Sequence, residues 1–159
     1  MAIIREATPQ DAVTILDFVK EIARYEKMSD QVENTLEHVQ QAFFGDNPQV
    51  FALIVEEGKE PVGFAVYYYT YSTFTGRHGL YLEDFYLQEN HRRKGIGKQV
   101  FDFLIDICNE NELTRMEWAV LDWNTPAINF YANYEPRTMS DWIYMRLGED
   151  QLRNQKKYN

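Results

Sequence analysis

Residues Leu80 to Leu87 read Leu-Tyr-Leu-Glu-Asp-Phe-Tyr-Leu, and the run Arg92-Arg93-Lys94-Gly95-Ile96-Gly97-Lys98 follows almost at once. The first segment is apolar and aromatic, the composition of a strand. Beyond the glycines, apolar residues recur at Ile96, Val100, Phe103, Leu104 and Ile107, the spacing of one helical face, so a helix of about 15 residues is predicted to begin there. A strand that turns at glycines into a helix commits the chain to the α/β class. A strand this apolar should be central and covered on both faces. Its pleat would send Tyr81, Glu83, Phe85 and Leu87 to one face and Leu82, Asp84 and Tyr86 to the other. An unpaired carboxylate is costly in such a place, so Glu83 or Asp84 must reach water, a cation or a cavity. Ordinary hydrogen bonds at a strand end would also satisfy both acids.

The loop has the chemistry of an anion site. Successive amides can converge on one point, and a helix N-terminus adds about half a positive charge there. Gly95 and Gly97 carry no Cβ to block an oxygen, while Arg92, Arg93, Lys94 and Lys98 supply mobile charge. A Walker loop is excluded because Lys98 is followed by Gln99, and the dinucleotide fingerprint fails because Val100 replaces its third glycine. A surface turn with a basic patch remains the plain alternative.

A third segment, Trp123-Asn124-Thr125-Pro126-Ala127-Ile128-Asn129-Phe130-Tyr131, carries helix-start signals: Asn124 or Thr125 as cap and Pro126 in the first turn. Tyr131 falls on the stripe of Ala127, Ile128 and Tyr134, where a tyrosine usually packs in a core. Elsewhere the patterns predict strands at Ile3–Glu6, Val50–Glu56, Val62–Tyr71, Arg115–Leu121 and Trp142–Leu147, with helices ending at Tyr25 and spanning Thr35–Phe44.

With 159 residues and no linker, repeat or low-complexity tract, residues 1–159 are expected to form a single domain. The net charge of −9 argues against nucleic acid and anionic membrane and for a cationic ligand. The one cysteine, Cys108, allows no internal disulfide and lies within the predicted helix, as packing rather than as a nucleophile. No run is long enough to span a bilayer and the start lacks signal-peptide regions, so the cytoplasm is the expected compartment. His38, His78 and His91 are scattered, and no metal site is expected.

Together the three segments resemble the GCN5-related N-acetyltransferase (GNAT) superfamily, and within it the diamine (spermidine/spermine) and thialysine acetyltransferases. Arg92 to Gly97 match the superfamily's pyrophosphate signature, while Tyr81–Phe85 and Trp123–Tyr131 match the narrower family's strand and helix motifs. The resemblance implies an α/β (α+β) acyl-CoA N-acyltransferase fold, with a mixed sheet of about six to seven strands, about four flanking helices and splayed central strands. It implies acetyl-CoA as co-substrate, a small cationic amine as acceptor and a homodimer, which the tail Glu149–Asn159 could help to form. Tyr131 becomes the acid for the leaving thiolate and Glu83 the base, directly or through water. Phe85, Tyr86 and Leu87 would pair with the pantetheine arm. Arg92, Arg93, Lys94, Gly95, Ile96, Gly97 and Lys98 would hold the pyrophosphate, and Asn124, Thr125, Pro126 and Ala127 would border the cofactor. Tyr25, Glu26, Glu83, Asp84, Glu117, Trp118 and Ala119 would contact the amine.

The chain departs from the family after Tyr131, where Ala132-Asn133-Tyr134-Glu135 replaces a basic run with glycine, and in the Ser72–Gly79 hairpin, which leaves acceptor choice open. Two other functions remain on the table: acetylation of a peptide or protein, which needs an open groove, and a non-catalytic acyl-CoA or polyamine sensor, which needs neither acid nor base.

Overall fold

The computed structural model describes residues 1–154. The chain divides into two compact units, Met1–Ala119 and the residues from Val120 onward. The first unit is built on one sheet of five strands in spatial order β1 (Ala2–Glu6), β2 (Phe51–Glu57), β3 (Glu60–Ser72), β4 (Arg77–Leu87) and β5 (Met116–Trp118). The first four are antiparallel neighbours and β5 runs parallel to β4, so the sheet is mixed, as the class requires. Three helices belong to this unit: α1 (Ala12–Tyr25), α2 (Leu36–Phe44) and α3 (Ile96–Glu110). The second unit holds α4 (Thr125–Ala132) and α5 (Glu149–Asn154). No helix among the described residues is long and apolar enough to cross a membrane.

Helix α1 packs because Ile15, Phe18 and Ile22 form one stripe, buried with Ile54, Phe64 and Val66 of the sheet, and Phe18 stacks on Phe64 at 5.4 Å between ring centroids. Each such side chain stabilises the fold by about 2 kcal/mol. On α3, Val100, Phe101, Leu104 and Ile107 are buried, with Cys108 beside them. Burial pushes the Cys108 thiol up to about 11, which keeps it neutral and unreactive.

The start of α1 is fixed by a charge cluster. Arg5 on β1 grips Asp11 through two hydrogen bonds of 2.8 Å and reaches Glu56 on β2 at 2.6 Å. Asp11 also accepts from the backbone N–H of Thr8 at 2.7 Å and from its hydroxyl at 2.9 Å. One arginine thus ties two strands to the helix they support.

Several expectations are corrected. Among the described residues the sheet has five strands rather than six to seven. The strand expected over Arg115–Leu121 spans only Met116–Trp118, and Trp142–Leu147 forms no strand. β-prone side chains favour extended backbone, but a strand exists only where a neighbour supplies its hydrogen bonds. Part of the tail instead forms α5, and residues 155–159 lie outside the described residues.

The largest correction concerns β4. Val66 pairs with Asp84 but the next residue of β3, Tyr67, pairs with Leu82, so Glu83 is the extra residue of a β-bulge. The pleat changes phase there. Asp84 and Tyr86 share a face with Val66 and Phe64, under α1, whereas Leu82 shares the opposite face with Tyr67. Leu82 and Asp84, predicted on one face, are on opposite faces.

Candidate active site

The bulge prepares one edge of β4. Ahead of it, Leu80 donates its N–H to Arg115 at 3.0 Å, and the pairing with β5 ends at Leu82 opposite Trp118. Beyond it β4 continues to Leu87 with β3 alone, because the edge strand β5 ends at Trp118. The N–H of Gln88 donates to Val62 of β3 at 2.9 Å. By alternation the amides of Tyr86 also serve β3, while those of Phe85 and Leu87 face the open edge. Of the three residues expected to pair with an extended ligand, Phe85 and Leu87 direct their backbone away from β3, with the Leu87 carbonyl accepting the Arg92 Nε–H, whereas Tyr86 is turned toward β3.

The same bulge presents the carboxylates. Glu83 is exposed and Asp84 half-buried. Burial first, then the charges of Glu83 and Glu26, push the Asp84 carboxyl up to about 7. Glu26, just past the end of α1, is itself raised by burial. Two partly dry carboxyls, those of Asp84 and Glu26, beside the exposed Glu83 form a site that gains by taking up a cation.

From Leu87 the chain turns through a 3-10 segment, Glu89–His91, into the basic loop. His91 is hydrogen-bonded to Glu57 of β2, which draws the Glu57 carboxyl downward. Arg93 and Gly95 both adopt left-handed backbone, with φ of 60° and 80°. Gly95 caps α3, and a Cβ there would point into open space. The first amides of α3 have no partner within the helix, the arrangement by which a helix start holds an anion. Lys98 is paired with Asp102 one turn on, which leaves Arg93 and Lys94 as the exposed cations nearest the cap.

In the second unit, Asn124 caps α4 by accepting the N–H of Ala127 at 3.3 Å, and Pro126 occupies the first turn. Asn124 is buried. Tyr131 is half-buried, its ring 5.3 Å from that of Phe130.

The family comparison agrees with this geometry. The Acetyltransferase (GNAT) family matches residues 15–134. The chain belongs to the GNAT family. It is similar to thialysine N-epsilon-acetyltransferase of Sus scrofa, 34% identical over 95% of each chain. It is also similar to spermidine/spermine N(1)-acetyltransferase-like protein 1 of Homo sapiens, 36% identical over 94% of this chain and 23% of that one. Among solved structures, an integron cassette protein from the mobile metagenome of V. cholerae shares the fold, with a TM-score of 0.79 at 20% identity over 96% of this chain and 95% of that one.

GNAT proteins are acetyltransferases that use acetyl-CoA as co-substrate, and the features above fit that molecule. A strand edge not paired with β5 suits its extended arm, and a side-chain-free cap beside amides that have no partner within the helix suits its diphosphate. Two expected residues are placed differently. Arg92 does not point its Nε outward but donates it to the carbonyl of Leu87 at 2.8 Å, with its guanidinium 4.7 Å from the ring centroid of Tyr25 and 5.4 Å from that of Tyr86. Trp118 turns to the α3 face, where its ring meets Phe101 edge-on at 5.2 Å. Glu117, paired with Tyr81, lies on the other face, together with Asp84. Sequence reasoning missed Arg115, which pairs with Glu117 at 3.0 Å. The alternation Arg-x-Glu at the start of a strand was the signal available.

Proposed function

We propose that this GNAT acetyltransferase transfers the acetyl group of acetyl-CoA to a primary amine of a small cationic acceptor, a polyamine, diamine or lysine-like amino acid. The observation that carries this reading is the grouping of Asp84, Glu83 and Glu26 beside an open strand edge that leads directly to the Gly95 cap. Its acceptor class also agrees with what the similar proteins are named for.

The amine must first lose a proton. With a pKa near 10.4, reaching the neutral form at pH 7 costs roughly 4 to 5 kcal/mol. The Glu83 and Asp84 pair takes that proton, directly or through water. A carboxyl held near pH 7 is matched to the task, because it is ionised often enough to accept and basic enough to attract. Glu26 and Tyr25 border the acceptor. Acetyl-CoA supplies the acetyl group as a thioester, and the chain's amides at Phe85, Leu87 and the start of α3, with Arg93 and Lys94, orient it. The nitrogen forms its bond to the acetyl carbon as the carbon–sulfur bond breaks, and the Tyr131 hydroxyl gives the departing thiolate a proton. A thiol pKa near 8.5 needs only modest help of this kind. No covalent enzyme intermediate is required, so the reaction proceeds in a ternary complex. The same reading takes residues 1–159 as one catalytic domain, working in the cytoplasm as a homodimer.

Purified protein mixed with acetyl-CoA and spermidine, spermine, putrescine, thialysine, lysine or basic peptides tests the proposal by release of free thiol. Small amines should react and peptides should be inert. The reverse pattern would establish a peptide acetyltransferase, and tight coenzyme A binding without thiol release would establish a sensor.

A further inference from the structure

We infer that the Arg115 and Glu117 pair reads the α-carboxylate and α-ammonium of an amino-acid acceptor, so that the enzyme selects a lysine-like amino acid over a diamine of the same length. The inference rests on the reading of the acidic strand as the amine site.

Cross-strand partners share a face of the sheet. Tyr68 pairs with Tyr81 and Tyr81 with Glu117, so these three side chains form a row across β3, β4 and β5. The tyrosine rings are stacked at 5.2 Å with 29° between planes, and both residues are half-buried. The row lies on the same face as Asp84, three residues further along β4. Trp118, one residue beyond Glu117, packs on Phe101 of α3, as the opposite face demands. Arg115, two residues before Glu117, returns to the acceptor face. Both members of the pair are partly exposed, Arg115 at 44% and Glu117 at 39%.

The next row is Thr70, Gly79 and Arg115. Gly79 has no side chain for a reason: a Cβ there would lie 2.8 Å from Cγ of Arg115 and 3.0 Å from Oγ1 of Thr70. The arginine stem therefore lies flat across the strand. Beneath it the Thr70 hydroxyl is buried without a hydrogen-bond partner. A polar group left so costs free energy. Movement of Arg115 onto a ligand would give that hydroxyl a chance to recover a partner.

The dimensions match. Asp84 and Tyr81 stand opposite Val66 and Tyr68, two residues apart on β3, so they are about 7 Å apart along the sheet, and Glu117 beside Tyr81 is about 8 Å from Asp84 once the spacing of about 4.8 Å between strands is included. A lysine-like chain holds its distal nitrogen about 6 Å from its α-carbon, from five bonds of about 1.5 Å in extended form. Its α-nitrogen lies one bond further, so the two nitrogens are about 7 Å apart and each can sit above one of these carboxylates. With the reacting amine at Asp84, the α-ammonium reaches Glu117 alongside the tyrosine rings, where a cation is favoured. The α-carboxylate meets the guanidinium fork of Arg115, a planar bidentate match. A diamine uses Glu117 and the rings but has no carboxylate to offer the guanidinium of Arg115. Arg115 is therefore the residue that discriminates.

An exposed pair of this kind adds little to stability, so substitution probes recognition in a folded protein. Acetylation kinetics are measured for lysine against cadaverine, and for thialysine against its decarboxylated diamine, with wild type, Arg115→Gln, Arg115→Glu and Glu117→Gln. Loss of a charge-assisted bond lowers the amino-acid to diamine ratio of kcat/KM by about 10- to 100-fold in Arg115→Gln. Arg115→Glu lowers it further and raises the diamine's own kcat/KM. Glu117→Gln weakens both acceptors. An unchanged ratio in Arg115→Gln overturns the inference. Should wild type release no thiol with any amine, the acetyltransfer reading fails instead. Calorimetric binding of lysine, weaker in Arg115→Gln than in wild type, would then still support recognition of the amino-acid head, and equal binding would refute it.

Discussion

The Nε–H of Arg92 donates to the carbonyl of Leu87 at 2.8 Å, tying the basic loop to the last residue of β4. The guanidinium is held at the same time against the rings of Tyr25 and Tyr86, so one side chain links the end of α1, the open strand edge and the start of the anion loop. Lysine cannot reproduce this link, because it lacks both the Nε donor and the planar fork. Arg92→Lys is expected to lower kcat/KM for acetyl-CoA by about 10-fold, with a melting temperature within a few degrees of wild type. Steady-state kinetics with a thermal melt check this, and a variant with wild-type kinetics would show that the link has no bearing on the site.

Asp84 makes stability depend on pH in the direction opposite to most carboxylates. Its folded value, about 7, exceeds its value of 3.8 in the unfolded chain, so the folded state binds more protons between those limits. The protein therefore loses stability as pH rises from about 4 through 7. Asp84→Asn removes this dependence and at pH 8 should be more stable than wild type by up to about 4 kcal/mol, while acetylating amines more slowly. Urea titrations at pH 5 and pH 8 measure it. Equal stabilities of variant and wild type at pH 8 would contradict the buried position of the carboxyl.

Asp11 behaves in the ordinary sense. Hydrogen bonds from Arg5, above all, hold its carboxyl down at about 2 against 3.8 unfolded. Its contribution is complete above pH 4 and is lost as pH falls toward 2. Asp11→Asn should cost about 2 to 4 kcal/mol at neutral pH, because it leaves Arg5 and the Thr8 amide short of their partner. The acid limb of the unfolding curve near pH 3 should flatten in the variant.

Tyr131→Phe keeps the ring that packs on Phe130 and removes only the hydroxyl. The proposal predicts an unchanged KM for acetyl-CoA and a kcat reduced by about 10²-fold or more. A kcat equal to that of wild type at saturating substrates would take Tyr131 out of the mechanism.

The strand, glycine turn and helix of Leu80 to Ile107 were legible because each is a local pattern: aromatic residues, residues free to take positive φ, and a helical repeat. The stripe of Ile15, Phe18 and Ile22 was legible for the same reason. What failed was non-local. A pleat counted by twos assumes an unbroken ladder, and nothing in Leu82-Glu83-Asp84 announces that one residue will be skipped by the partner strand. Trp142–Leu147 has strand composition, yet no composition states whether a neighbour is within reach. Arg92 matched an anion-binding signature, but a signature does not say that its side chain will be used by Leu87. Arg115 was passed over because its significance depends on Gly79 and Glu117 on two strands.

The central claim is that the amides around Gly95 and the edge of β4 at Phe85 and Leu87 hold coenzyme A and present its thioester beside the acidic strand. A crystal structure with coenzyme A bound tests it most directly. The account predicts the diphosphate within hydrogen-bond distance of main-chain N–H groups between Arg93 and Lys98, with the pantetheine arm paired to Phe85 and Leu87. A diphosphate remote from Gly95, or an arm lying away from β4, would contradict it.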